Sequence, residues 1–385
     1  MKENYSVLLI GQFYDNHNIR LVRNLKRENP NVQIDCFTPS LAGQEIPADY
    51  LECYRNYEIV DFSNYFRHVP ILKQIETIHN WHKYFRSFSQ GKHYDIINIH
   101  YPRSDYYYIL PEIRNMTDNL VLSPWGSDVY RINKKQRQQL QKIYNAADYV
   151  TGRGDRFTKD FMTIFHIPQD KFVFAGMGSE TIDYIVEHKN EIDTNEAKRR
   201  LDIEGYYTIS CGYNASPAQQ HLKIVEAISH IKEQLPQKLI LLFPVTYPKN
   251  IEYLSQIKKA VEENDIKAMF FDKYLDLETL FVVRQATDLF IHVQTTDANN
   301  ASLKEYLLCK KNCINGDWLK YPDVESLNYK PYHSVSSIDS LDDAILKAFS
   351  KGVPEIKDSV LECIRSMGCK SAAKVRNEFF MSISK

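Results

Sequence analysis

The sequence predicts an α/β protein made of two doubly wound domains that face each other across a cleft. Short apolar runs alternate with helical patterns along the chain, as parallel strands joined by crossover helices require. At 385 residues the chain exceeds what one hydrophobic core serves. A charged, glycine-free helical segment at 183–202 interrupts the alternation and divides it into similar halves, although no internal repeat relates them.

Taken in order, residues 6–10 (Ser-Val-Leu-Leu-Ile) read as a buried strand, and 18–27 as the helix that follows, with Leu21, Val22 and Leu25 on one face. Further strands are expected at 32–37, 95–100, 119–123 and 148–151, then at 207–211, 238–245, 268–271, 288–293 and 312–315. The tail at 359–384 has a helical period carried by Val360, Ile364, Met367, Ala372, Val375 and Phe379. Domains are accordingly expected at 1–180 and 181–355, with a C-terminal helix at 356–385 packing back on the first. Ligands of open parallel sheets sit beyond the carboxyl ends of the strands, so chemistry is expected on post-strand loops.

Composition excludes several functions. Lys and Arg number 48 against 49 Asp and Glu, which leaves no basic field for nucleic acid. No run approaches the roughly 18 apolar residues of a membrane span. The opening carries Glu3 and leads straight into the five-residue apolar run of the first strand, too short for a secretory signal, so a cytoplasmic setting is expected. Seven scattered cysteines fit that compartment, and Cys309 and Cys313 lack neighbours at zinc-site spacing. No metal site is expected.

The most informative stretch follows the strand at 288–293. Asp297 ends it, the small polar turn Ala298, Asn299, Asn300, Ala301 and Ser302 follows, and Glu305 lies eight positions after Asp297 inside the next helix. The free N–H groups and positive dipole end of such a helix start suit a phosphate, while carboxylates accept hydrogen bonds from sugar hydroxyls. The same spacing is also compatible with Asn300 or Ser302 capping the helix and Glu305 facing water.

This carboxylate-x7-Glu arrangement resembles the E-x7-E motif of retaining GT-B glycosyltransferases of the family 4 type. Other stretches fall in the same order as in that family. Asp95-Ile-Ile-Asn-Ile-His100 is similar to its DVVHVH strand, and Leu122-Ser-Pro-Trp-Gly126-Ser-Asp128-Val-Tyr130 to its HG-x-D loop. Ala146-Ala-Asp148-Tyr-Val150 and the turn Gly176-Met-Gly178 through Asp183 resemble its ADxV strand and GVD turn. The resemblance implies the GT-B fold of two Rossmann-like halves, with an acceptor on the first and a nucleotide-sugar donor on the second. It implies that Glu305 holds the donor ribose and Asp297 the sugar hydroxyls.

The loop after 207–211 departs from the family. An Arg and a Lys usually clamp the diphosphate there, whereas this chain has Gly212-Tyr-Asn214-Ala-Ser-Pro-Ala-Gln-Gln-His221. Together with Tyr247-Pro-Lys249, this pattern is closer to enterobacterial fucosamine transferases and related bacterial surface-polysaccharide enzymes. Backbone N–H groups, Asn214, His221 and Lys249 then become the candidates to hold the diphosphate. In the first half, Asp128 either orients or deprotonates the acceptor hydroxyl or caps its turn, and His100 is a second cleft candidate. Asp297 with Glu305 points to retention, Asp128 to a base for inversion.

Residues 65–92 are basic and aromatic, including Arg67, Trp81, Lys83, Phe85 and Arg86. In similar enzymes such a segment meets the bilayer that carries a polyprenyl-linked saccharide, which implies peripheral contact at the inner membrane face. The resulting expectation is a metal-independent hexosyltransferase. A catalytically silent subunit that supports a partner transferase is the alternative favoured by the missing cations, and a nucleotide-sugar 2-epimerase is a third.

Overall fold

The computed structural model describes residues 4–11, 16–40, 48–61, 68–130, 132–152, 155–248, 250–297, 301–326 and 328–384. It divides into two compact units, residues 1–178 with 369–385, and residues 179–368.

The first domain holds seven parallel strands: β1 (Ser6–Ile10), β2 (Gln33–Ser40), β3 (Tyr57–Asp61), β4 (Tyr94–His100), β5 (Thr117–Ser123), β6 (Tyr149–Gly152) and β7 (Phe172–Phe174). Their order is β3-β2-β1-β4-β5-β6-β7. The second holds six: β8 (Tyr207–Cys211), β9 (Leu239–Pro244), β10 (Lys267–Phe271), β11 (Leu289–His292), β12 (Asn312–Gly316) and β13 (His333–Val335). They run β10-β9-β8-β11-β12-β13.

Both orders reverse direction after the domain's first strand, the doubly wound arrangement, so the fold class is the one the sequence predicts. Strands buried on both faces need apolar residues at consecutive positions. In β1, Leu8 and Ile10 join one core cluster while Val7 and Leu9 join the other, on the opposite face. In β9, Leu239, Leu241 and Phe243 divide from Ile240 and Leu242 in the same way. Each fully buried Ile or Leu contributes about 1.5–3 kcal/mol. The short strands β3, β7 and β13 escape sequence reading because they carry polar or exposed residues at sheet edges.

The tail differs from expectation in two ways. It forms two helices rather than one, with Gly368 between them packed so closely on the Asp183 carboxyl that an added Cβ would come within 2.0 Å of Oδ1. The helix Asp358–Arg365 buries Val360, Leu361 and Ile364 in the second domain; only Cys369–Ile383 joins the first. The buried stripe of that last helix is also rotated: Ala372, Ala373, Arg376, Asn377 and Phe380 are buried, whereas Val375 is 44% exposed. Polar partners set this rotation. Arg376 donates to Asn98 Oδ1 (3.1 Å), Ser123 Oγ (3.3 Å) and the Ala175 carbonyl (2.6 Å), and Asn377 Oδ1 accepts from the Tyr5 hydroxyl (2.8 Å).

Candidate functional site

In the second domain the strand order reverses between β8 and β11, and the loops after those strands carry most of the sequence-predicted residues. Gly212 begins the first loop at φ +62°, and a Cβ there would lie 2.8 Å from Gln219 Oε1 and 2.9 Å from His221 Nε2. Only glycine fits. Asn214 Oδ1 then accepts from Ser216 N (2.9 Å), closing a turn, and Ala215 N donates to Tyr247 O (2.6 Å) from the loop after β9. The post-β11 loop is laced to this one. Gln294 Oε1 accepts from Gln219 Nε2 (2.7 Å) and from the Tyr213 hydroxyl (3.2 Å), and Thr295 N donates to Ala218 O (2.8 Å).

Asp297 is half-buried, and its Oδ2 accepts a short hydrogen bond from the Tyr321 hydroxyl. Burial and the Asp297 charge hold Tyr321 protonated far above the usual phenol range. The helix Ala301–Leu308 follows, with Ser302 and Glu305 in its buried face. Glu305 does not face water: its side chain is 5% exposed and its Oε2 accepts from Arg284 Nε at 3.1 Å. Arg284 also donates to the Tyr306 hydroxyl (3.0 Å) and Ser302 Oγ (3.3 Å), and Tyr306 meets Ser210 Oγ of β8 at 2.6 Å. Tyr247 is 57% exposed, with its hydroxyl beside the Asn214 side chain and within the electrostatic reach of Glu305 and Arg284.

His221 departs from expectation. It is wholly buried at the start of the helix His221–His230, against the rings of Phe243 (5.8 Å) and Tyr253 (5.7 Å). Burial pushes its pKa down to about 4, so at neutral pH it is an uncharged support beneath Gly212 rather than a cation for a diphosphate. Lys249, Asn299 and Asn300 lie outside the described residues.

In the first domain, Asp128 Oδ1 accepts from Trp125 N (2.9 Å) and Gly126 N (2.7 Å), which makes it the cap of its turn. The side chain is 3% exposed. His100 ends β4, is 1% exposed, and pairs through Nε2 with Asn98 Oδ1 at 2.8 Å. That oxygen also accepts from Arg376, while Asn98 Nδ2 donates to Val121 O and Ser123 Oγ. Asn98 Oδ1 is therefore purely an acceptor, and His100 carries its proton on Nε2.

Sequence reading missed Arg284, Tyr306, Tyr321 and Arg376. The signal for Arg284 was a lone cation in the apolar run Leu280-Phe-Val-Val-Arg284; Tyr321 gave none, since it reaches Asp297 across 24 positions. Among the described residues no group of three His, Cys, Asp or Glu side chains gathers as a metal site. The cysteines are free thiols, and burial pushes Cys309 up to about 12.

Residues 6–152 match the family model described as Glycosyl transferase 4-like. No curated protein sequence matches the chain. Among solved structures it is similar to a glycosyltransferase from Rickettsia africae ESF-5, with 13% identity, all of both chains covered and a TM-score of 0.73. It is also similar to Anabaena HepE in complex with UDP and glucose, with 12% identity, 98% of this chain and 100% of that one covered and a TM-score of 0.63. A third is the sucrose-phosphate synthase of Thermosynechococcus elongatus, with 13% identity, 98% and 99% covered and a TM-score of 0.67. The first domain thus matches the Glycosyl transferase 4-like family model, and the chain has the two-domain GT-B fold.

Proposed function

We propose that this chain is a glycosyltransferase that moves a sugar from a nucleotide-sugar donor to a saccharide acceptor, with retention and without a metal. The observation that carries this reading is the grouping of Glu305, Asn214 and Tyr247 at the switch point of the second domain, with Asp297 held by Tyr321 on the loop after β11. One acid is half-buried and the other is locked in orientation, which suits hydrogen bonds to sugar and ribose hydroxyls. Cleavage of the glycosyl–phosphate bond places negative charge on the departing diphosphate. Backbone N–H groups at the start of Ala301–Leu308, with Asn214 and Lys249, are the groups assigned to it, because the N–H groups of Tyr213, Ala215, Ser216 and Ala218 already donate within the protein. Asp128 and His100 are assigned to the acceptor side.

The acceptor we propose is a polyprenyl-linked saccharide of bacterial surface-polysaccharide synthesis. Supporting this, the helix Pro70–Ser89 buries Trp81, Phe85 and Phe88 while Ile71 is 74% and Ile75 is 58% exposed, and the same helix carries Lys73, Lys83 and Arg86. No helix among the described residues is long and apolar enough to cross a membrane. Flotation with anionic vesicles tests the contact: reversing Lys83 and Arg86 abolishes it, and unchanged flotation overturns it.

The reaction is tested by mass spectrometry of the full chain with a mixed pool of nucleotide sugars and extracted lipid-linked saccharides. One donor is consumed, the product anomer keeps the donor's configuration, and EDTA changes nothing. The cation-free loop after β8 and the neutral His221 favour a second reading, a catalytically silent subunit. Thermal stabilisation by a nucleoside diphosphate without turnover of any donor would establish it.

A further inference from the structure

The second domain contains a buried cation whose three nitrogens all point at the candidate donor site's own framework. Arg284 is 3% exposed on the helix Leu277–Ala286. Its Nε reaches Glu305 (3.1 Å), one terminal nitrogen the Tyr306 hydroxyl (3.0 Å) and the other Ser302 Oγ (3.3 Å). The guanidinium also lies over the Tyr306 ring at 4.5 Å from its centroid, and that ring stacks on Phe290 of β11 at 4.0 Å. Among the described residues the three hydrogen-bond partners of the Arg284 side chain belong to the helix Ala301–Leu308, and Tyr306 ties the assembly to Ser210 at the end of β8.

This geometry does two things at once. A carboxylate as deep as Glu305 needs a donor to fix its orientation, and a buried carboxylate is accommodated best beside a cation. The planar fork holds Oε2 through Nε, while Oε1 has no protein hydrogen bond among the described residues. The same fork fixes Ser302 in the first turn of the helix, so acid and helix start share one rigid reference. We infer that Arg284 is a positioning residue for the donor, presenting Glu305 to the ribose hydroxyls of a nucleoside diphosphate. The role rests on the donor-site reading above, which Glu305 tests on its own.

The experiment is calorimetric titration of the full chain with UDP and GDP, and with the 2′,3′-dideoxy form of whichever binds. Wild-type protein prefers the ribonucleotide; E305Q weakens ribonucleotide binding by about tenfold and leaves the dideoxy form unaffected, the size of one charge-assisted hydrogen bond. R284M loses the same preference, and R284K, which keeps the buried charge without the fork, loses about threefold. R284M/E305Q removes both charges and binds no worse than E305Q, because the two residues act as one unit. A merely structural Arg284 would weaken both nucleotides equally. Loss in E305Q with full preference in R284K and R284M overturns the positioning role alone. Full preference in E305Q, or no binding of either nucleotide by wild-type protein, overturns the donor-site reading and the role with it. Should R284M fail to fold, R284K and the double variant decide the same question.

Discussion

The two sheets share one strand order through their first six members, yet their switch points use a buried arginine in opposite ways. In the first domain Arg376 donates to Asn98, Ser123 and the carbonyls of Ala175 and Gly176. Its hydrogen bonds hold the backbone where the chain leaves the domain. In the second, Arg284 meets a carboxylate and fixes it on the helix after β11. One buried cation is committed to backbone carbonyls, an amide and a hydroxyl, the other to an oriented acid. Which acceptor the cation meets decides between the two.

The comparison can be broken most severely at Arg376. R376M leaves buried carbonyl and amide acceptors without their donor, and the first domain loses about 3 kcal/mol. Urea unfolding in a W318F background, where Trp81 and Trp125 report the first domain, checks it; a first-domain transition that does not move would contradict the assignment.

A smaller effect separates the domains by pH. The folded pKa of His221 is depressed to about 4, against about 6.5 in the unfolded chain. The unfolded state therefore binds the proton first, and stability that is complete above about pH 6.5 is lost as pH falls toward 4. Between pH 7 and 5 the second domain of wild type loses about 2 kcal/mol more than that of H221N. His292, also depressed by burial, is common to both proteins and cancels. Equal slopes would show that His221 is not the group.

Asp297 and Asp128 sharpen the contrast further. D297N keeps an acceptor for Tyr321 but loses its charge, so turnover falls about tenfold while nucleoside diphosphate affinity stays unchanged. Single-turnover kinetics beside calorimetry reads both quantities. The smallest change comes from D128A, which removes the cap of Trp125 N and Gly126 N for about 1 kcal/mol. D128N restores it, and thermal melting of the pair distinguishes the cap from the charge.

Most of the fold was legible because strands buried on both faces announce themselves as unbroken apolar runs, as Ser6–Ile10 and Leu239–Pro244 do. Asp297 and Glu305 were legible by spacing. What escaped was polar and distant. Phe380 rather than Phe379 faces inward because Arg376 and Asn377 find partners in β4 and near β1, and periodicity of apolar residues cannot register that. His221 looked like an anion ligand from its place in the loop, but Phe243 and Tyr253 enclose it. The burial of Glu305 followed from Arg284, 21 residues earlier, whose only trace was a cation in an apolar helix.

The first domain is completed by the helix Cys369–Ile383, so its sheet and its last helix are separated in sequence by the entire second domain. During synthesis the order of completion is therefore reversed. The ribosome releases all of residues 179–368 before Phe380 can cover Tyr5 or Arg376 can reach Asn98. The half made first waits for the final segment to arrive, and a chain cut after residue 368 would present a complete carboxyl-side domain beside a first domain lacking its last helix, open to chaperones.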